Sequence, residues 1–179
     1  MKIWKGVLMG ILTASLIISS LFVYFTYGSG TLVIEMMDPP EYWGSASHVY
    51  IHYSEIKIHR ADAEEESGWH TVIEDDRWLN LTSVVNVSKA IGQSSLPAGK
   101  YNIIRFNITE AIVTVNGENH TVTVVNGRLN IPITRGGIRV DAGQKTYLVI
   151  DITPRITGSQ QGFRLVPATR AIPGAREVG

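Results

Sequence analysis

The chain has 179 residues, sixteen basic and sixteen acidic side chains, no net charge and no cysteine. The missing cysteine excludes disulfides, thiolate metal sites and thiol nucleophiles together. The balanced charge excludes the basic face that nucleic acid needs to displace its counterions.

The first element in the chain is apolar and long. Lys2 and Lys5 precede GVLMGILTASLIISSLFVYFTY, Gly6 to Tyr27, and no further charge follows until Glu35. Such a run forms a helix able to cross the ~30 Å hydrocarbon core of a bilayer. The flanking lysines stay on the cytoplasmic side, which puts everything after Tyr27 outside. The run exceeds the usual signal-peptide core, so a retained anchor over residues 1–29 is expected, giving a single-pass membrane protein. Cleavage after a pair of small residues, Thr26 and Gly28 or Gly28 and Gly30, would free a secreted domain instead. Lys5-Gly6 offers a third outcome, since a basic residue and a glycine before an apolar helix resemble the processing site of type IV pilin precursors. Without Lys2 and Lys5 the exported part has fourteen basic and sixteen acidic residues, a formal charge of −2.

After the apolar run, short alternating segments separated by turn chemistry predict an all-β domain over residues 30–172. Thr31 to Met37 reads as a strand ended by Asp38-Pro39-Pro40. His48 to His59 follows, with Val49, Ile51 and Tyr53 in one phase and Ile56 and Ile58 in the other, so a bulge or bend is expected near Ser54. The acidic run Asp62 to Glu66 makes a solvated turn, and Trp69 to Ile73 pairs back as a hairpin. Glu74 to Ser95 lacks a clear period and predicts a short helical turn or an irregular crossover.

Leu96-Pro97-Ala98-Gly99-Lys100-Tyr101 is a tight turn into a strand over Tyr101 to Thr109. Gly99 is expected to supply a conformation unfavourable to a residue with a Cβ, and the Tyr101 hydroxyl to find a partner. Ala111 to Val115 and His120 to Val125 flank Asn116-Gly117, a pair that favours two-residue hairpins because both residues tolerate positive φ. Further strands are expected over Arg128 to Ile133, Ile138 to Val140, Thr146 to Ile152 and Phe163 to Ala168. Nine or ten strands at this spacing imply a two-layer antiparallel β-sandwich, transthyretin-like or Ig-like, because a lone sheet would leave one apolar face wet. Residues 173–179 read as a flexible tail.

Four Asn-x-Ser/Thr triplets begin at Asn80, Asn86, Asn107 and Asn119 and are candidate glycosylation sites outside the cell. His48 and His52 share a strand face about 13 Å apart, too far to hold one ion between them. The acidic turns, Asp62 to Glu66 and Glu74 to Asp76, have oxygens of the kind calcium takes but no recognised ligand spacing. No serine sits with a histidine and an acid in an elbow pattern, so no catalytic residue, metal ligand or cofactor site is assigned. Of the aromatics, Trp69 and Trp78 are expected to pack against the sandwich. Tyr42 and Trp43, beside Pro39-Pro40, are expected to be exposed as a contact surface.

The order of these pieces resembles a known family. The strand ending in Met37-Asp38-Pro39-Pro40, the hairpin reaching Trp69, the turn and strand LPAGKYNIIRFNI (Leu96 to Ile108), and the Asn116-Gly117 hairpin carry the likeness. So do the segment Ile131 to Val140, the strand YLVIDI (Tyr147 to Ile152) and the closing FRLVPA (Phe163 to Ala168). Together they look like the domain of unknown function 4382, over Gly30 to Ile172. The Leu-Pro-Ala-Gly-x-Tyr turn also recurs in transthyretin-like sandwich modules. The resemblance implies an exported β-sandwich of the cell envelope with no catalytic residues to carry over. The chain departs from the family in having Asp38-Pro39-Pro40 for Asp-Ala-Pro and an anchor-like helix for a lipoprotein cysteine.

Three functions remain open on these residues. The first is a membrane-anchored extracellular β-sandwich with a structural, binding or adhesion role, not an enzyme, whose partners are the membrane and an envelope polymer, a glycan or another protein. The second is a filament subunit, processed like a pilin or donating the uncharged strip Gly28 to Ile34 to the next subunit. The third is an envelope enzyme or a sugar-binding module.

Overall fold

The computed structural model describes residues 2–37, 43–85, 87–159 and 162–174. A 26-residue helix, α1 (Lys2–Tyr27), leads directly into ten strands. In chain order these are β1 (Ser29–Met37), β2 (Ala46–Arg60), β3 (Trp69–Asn80), β4 (Lys89–Pro97), β5 (Gly99–Val115), β6 (Glu118–Val124), β7 (Arg128–Pro132), β8 (Ile138–Val140), β9 (Lys145–Ser159) and β10 (Gly162–Pro173). A 3-10 turn, Leu81–Val84, follows β3, capped by the Asn80 side chain accepting from the Thr82 N–H at 3.0 Å.

The domain is mostly β, as its alternation predicts, but the strands form one hydrogen-bonded sheet in the order β3-β2-β5-β6-β10-β9-β1-β4, with β7 and β8 also on β5. The two separate layers expected from the sequence are not distinct. Long strands turn the corners: β5 runs seventeen residues where two shorter strands were expected, passing β8, β7 and β6 in turn along one edge while β2 follows the other. Register shifts in the β2–β5 pairing at His52/Tyr53 and Tyr53/Glu55 let these strands bend, and the slip expected near Ser54 is one of them. The ends of the sheet, β3 and β4, converge closely enough that a Cβ on Gly92 would lie 2.6 Å from Ile73 Cδ1, so the sheet curls into a nearly closed barrel.

Inside lie the alternating residues. Ile51, Tyr53, Ile56, Ile58, Tyr101, Ile104 and Phe106 are fully or almost fully buried, with Leu32, Ile34 and Met36 of β1 and Leu148, Ile150 and Ile152 of β9 facing them. The Tyr101 ring sits in this core and its hydroxyl donates to the Pro97 carbonyl at 2.8 Å, the partner that the turn predicted. Gly99 has no left-handed φ. Arg60 packs over this glycine, its Cζ 3.3 Å from where a Cβ would stand, so a side chain there would have to displace the guanidinium slightly.

Two strands escaped the sequence pattern. β4 carries KAIGQSSLP, poor in β-branched residues, and exists because β1 supplies its ladder from Ser29↔Pro97 to Met36↔Lys89. β3 continues to Asn80 through an acidic stretch without alternation, because β2 pairs with it up to Tyr50↔Asn80. The strip Gly28 to Ile34 proposed as a donor strand is mostly β1 itself, parallel to β9 and antiparallel to β4 within the same sheet.

No slack separates helix from sheet. The Gly28 N–H closes the last helical turn onto Tyr24 O at 2.8 Å, its carbonyl accepts from Ala98 N at 2.7 Å, and Ser29 O accepts from Gly143 N at 2.9 Å. Gly143, at φ +72, leaves room for the Tyr24 hydroxyl, which a Cβ there would approach at 2.7 Å.

The inward set makes a direct prediction for stability. Phe106→Ala is expected to cost about 3–5 kcal/mol by leaving a cavity, whereas Lys57→Ala on the outer face is expected to stay within about 0.5 kcal/mol. Denaturant unfolding followed by tryptophan fluorescence measures both, and equal costs would refute the assigned faces.

Candidate contact surfaces

The helix joins one end of the β domain, where β5 begins at Gly99; the other end, where β5 stops at Val115, lies about 50 Å away along that strand at ~3.3 Å per residue. Three polar and aromatic constellations are distributed along this axis.

Nearest the helix is the acidic turn. Its carboxylates do not converge, because its backbone is tied to the sheet: the His59 imidazole meets the Glu64 carbonyl at 3.0 Å, and the Trp69 indole donates to the Glu65 carbonyl at 2.9 Å. The His59 and Trp69 rings meet edge to face, and the Arg105 guanidinium lies 3.8 Å from the Trp69 ring centroid while donating to Asn130 at 2.9 Å. Trp69 is thus packed, as the sequence predicts, in a cation–π stack. Arg60 forms a paired contact with Asp62, at 2.6 and 3.2 Å, and holds that carboxyl below the usual range. Beside it, burial, then Arg60 and His59, depress the His70 imidazole, whose ring stands edge-on to Tyr101.

Further along the outer face, His52 links three strands. One ring nitrogen, Nδ1, is 2.6 Å from the Thr109 hydroxyl on β5 and the other, Nε2, 3.4 Å from the Asp76 carboxylate on β3, with the Trp78 ring 5.0 Å away. With the Nε2 proton directed to Asp76, Nδ1 accepts from the Thr109 hydroxyl. This acid–imidazole–hydroxyl order is the one formal likeness to a catalytic line among the described residues. Asp76, however, is 74% exposed, so water competes for the contact that would orient the ring.

The third constellation lies at the far end. Val115, Asn116, Glu118, His120 and Phe163 line a recess of about 350 Å³ at the mouth of the barrel. The His120 and Phe163 ring centroids are 5.2 Å apart. The β5–β6 turn that forms one wall has Asn116 at φ 53 and Gly117 at φ 82, the two-residue hairpin predicted by the Asn-Gly pair.

The predicted contact aromatics fare differently. Trp43 is 6% exposed and belongs to the core cluster, so it is no contact residue; the chain re-entering β2 turns its indole inward. Tyr42 lies outside the described residues. Trp78, expected to be packed, is 44% exposed because β3 runs on past Ile73 at the end of the sheet and points it outward opposite His52. Among the glycosylation triplets, Asn119 is exposed, and its Oδ1 accepts from the Thr114 hydroxyl at 2.8 Å. Asn107 is half-buried and donates to Ser54 at 3.2 Å, and Asn80 caps the 3-10 turn. Asn86 lies outside the described residues. No group of three or more potential metal ligands gathers among the described residues.

The depressed His70 ties stability to pH. Folded His70 holds its proton less tightly than the unfolded chain, whose imidazole titrates near pH 6.5. The unfolded state therefore binds more protons as the pH falls through that value, and stability present above it is lost below it. Denaturation midpoints at pH 7.5 and 5.5 should show this loss, and His70→Phe, which keeps a ring against Tyr101, should reduce it. An unchanged difference between the two pH values would exclude His70 as a contributor.

Comparison with known proteins places the chain by family. No curated protein matches it. A solved structure of a candidate cell adhesion protein from Bacteroides eggerthii DSM 20697 overlaps it at a TM-score of 0.31 and 8% identity, over 81% of this chain and 57% of that one, so this chain spans less than two thirds of that structure. The model of the family described as Domain of unknown function (DUF4382) matches residues 29–167, from the first residue of β1 into β10. The resemblance read from the turn and strand motifs is therefore correct, and the chain is a member of the DUF4382 family.

Proposed function

We propose that the protein is a membrane-tethered β domain of the outer cell envelope that works by contact, as a binding or adhesion module without turnover. The observation that carries this reading is the seam at Gly28. A helix whose Gly6–Tyr24 stretch is long and apolar enough to cross a membrane, and is not buried in the protein, passes into β1 with no free linker residue. A fused joint of this kind holds the body of the domain at a set orientation, with the barrel mouth far from the bilayer. Lys2 and Lys5, ahead of the apolar stretch, favour the outside for that body. There the Asn80, Asn86, Asn107 and Asn119 triplets would be open to glycosylation, Asn119 most readily. The partners in this reading are the membrane, through α1, and an envelope polymer, glycan or protein at the exposed surface.

A filament built by strand donation is disfavoured by the place of β1 in its own sheet, since giving it away would strip the ladders of both β4 and β9. A second reading, an envelope hydrolase, draws on the Thr109–His52–Asp76 line alone. His52→Ala separates it, because a hydrolase would lose its turnover of an activated ester and a contact module has none to lose.

For the tether, the expected mature protein starts at Met1, stays in the membrane pellet after a carbonate wash, and loses its β domain to protease added outside intact cells. A mature terminus at Val7 would indicate pilin-like processing. One at Ser29 or Thr31 would indicate a freed domain, and a protected domain would place it on the cytoplasmic side; each would overturn the tethered reading.

A further inference from the structure

We propose that the recess at the far end of the barrel is a binding site for one neutral pyranose ring of a surface glycan. The inference deepens the contact reading above and rests on it. The space, about 350 Å³, falls at the lower end of the roughly 300–1,000 Å³ range of small-molecule sites, which suits a single ring.

The lining chooses among ligand chemistries. Phe163 offers an aromatic ring to the C–H face of a sugar, and Val115 adds an apolar side chain to the lining. Glu118 supplies a carboxylate that accepts hydroxyl protons and repels phosphates and other anions. Asn116 and His120 each bring both N–H donors and acceptors. An ammonium ligand would satisfy Glu118 and the ring but has no acceptor to offer those donors. Sugar hydroxyls donate and accept, so they match every polar group present.

The site is also preformed. Strand alternation directs Glu118 and His120 to the mouth and Asn119 to the opposite face, where its Oδ1 takes the Thr114 hydroxyl at 2.8 Å. The Asn116-Gly117 turn is set by two left-handed residues, and the His120 imidazole leans on Phe163. A fixed wall lowers the ordering cost of binding. It also means that a glycan attached at Asn119 would point away from the recess.

The test uses the full-length protein in nanodiscs and saturation-transfer NMR with the methyl pyranosides of glucose, galactose, mannose and N-acetylglucosamine, with tetramethylammonium and inorganic phosphate as the competing chemistries. At least one pyranoside should receive saturation at its ring C–H protons. Glu118→Gln, an exposed change at the first residue of β6, should weaken that ligand about tenfold, the scale of one charge-assisted hydrogen bond. Phe163→Ala should abolish the transfer, and Asn119→Gln should leave it unchanged. Silence from all four pyranosides, stronger binding of tetramethylammonium or phosphate, or indifference to Glu118→Gln would each overturn the proposal. Protease accessibility on cells is a separate readout: an accessible domain that binds no pyranoside removes the sugar site and leaves the tethered module standing, whereas a protected domain removes the module itself.

Discussion

The structure depends on β1 having two partners. It lies parallel to β9 and antiparallel to β4, and so from Thr31 to Met36 it has a ladder on both sides, interrupted on the β4 side by a bulge at Ile34/Glu35. Because α1 runs into this strand without a spacer, the apolar helix is bonded to a strand paired on both sides, one in from the β4 end of the sheet. Leu32, Ile34 and Met36 then send their side chains into the core, where they meet β9 and the inner residues of β2. Removing β1 would uncouple β4, open the barrel and detach the helix in one step.

This arrangement makes the domain polar in the sense of having two different ends. At the helix end, hydrogen bonds from Ala98 and Gly143, the Arg60 cover over Gly99 and the tied-down acidic turn make a dense structure. The Glu64 and Glu65 carbonyls of the acidic turn are used internally, by His59 and Trp69. At the far end the polar groups of Glu118, Asn116 and His120 are left facing a recess. The two ends of the long strand β5 thus differ: packing and backbone bonds are concentrated where the apolar helix enters, and solvent-facing polar groups gather at the other.

The outer face between these ends shows how easily a side-chain line can mimic a mechanism. Thr109, His52 and Asp76 stand in the order of nucleophile, base and acid, yet they come from three neighbouring strands and stitch β3, β2 and β5 together. A mostly solvated carboxylate gives an imidazole little orientation, and the exposed Trp78 ring beside it contributes area instead of exclusion of water. The simplest role consistent with the geometry is cross-strand reinforcement of a sheet end whose residues lack apolar alternation.

Much of this protein was legible in its residues because local physics decided it. An uncharged, predominantly apolar stretch of nineteen residues behind two lysines makes a membrane-length helix whatever follows. Alternation makes strands, the slip at Ser54 makes a bulge, and Asn116-Gly117 makes a tight hairpin because those two residues tolerate positive φ. Tyr101 needed a hydroxyl acceptor and found Pro97. What only the tertiary structure decided was everything set by a distant partner. β4 is a strand because β1 pairs with it, the two expected layers merge because β5 does not stop at Thr109, and Trp43 and Trp78 exchange their expected places because burial is determined by what packs on a residue. The recess joins Glu118 and His120 to Phe163, more than forty positions further on. No spacing along the chain encodes that meeting; it follows from the parallel pairing of β6 with β10, a long-range contact that only the folded sheet makes.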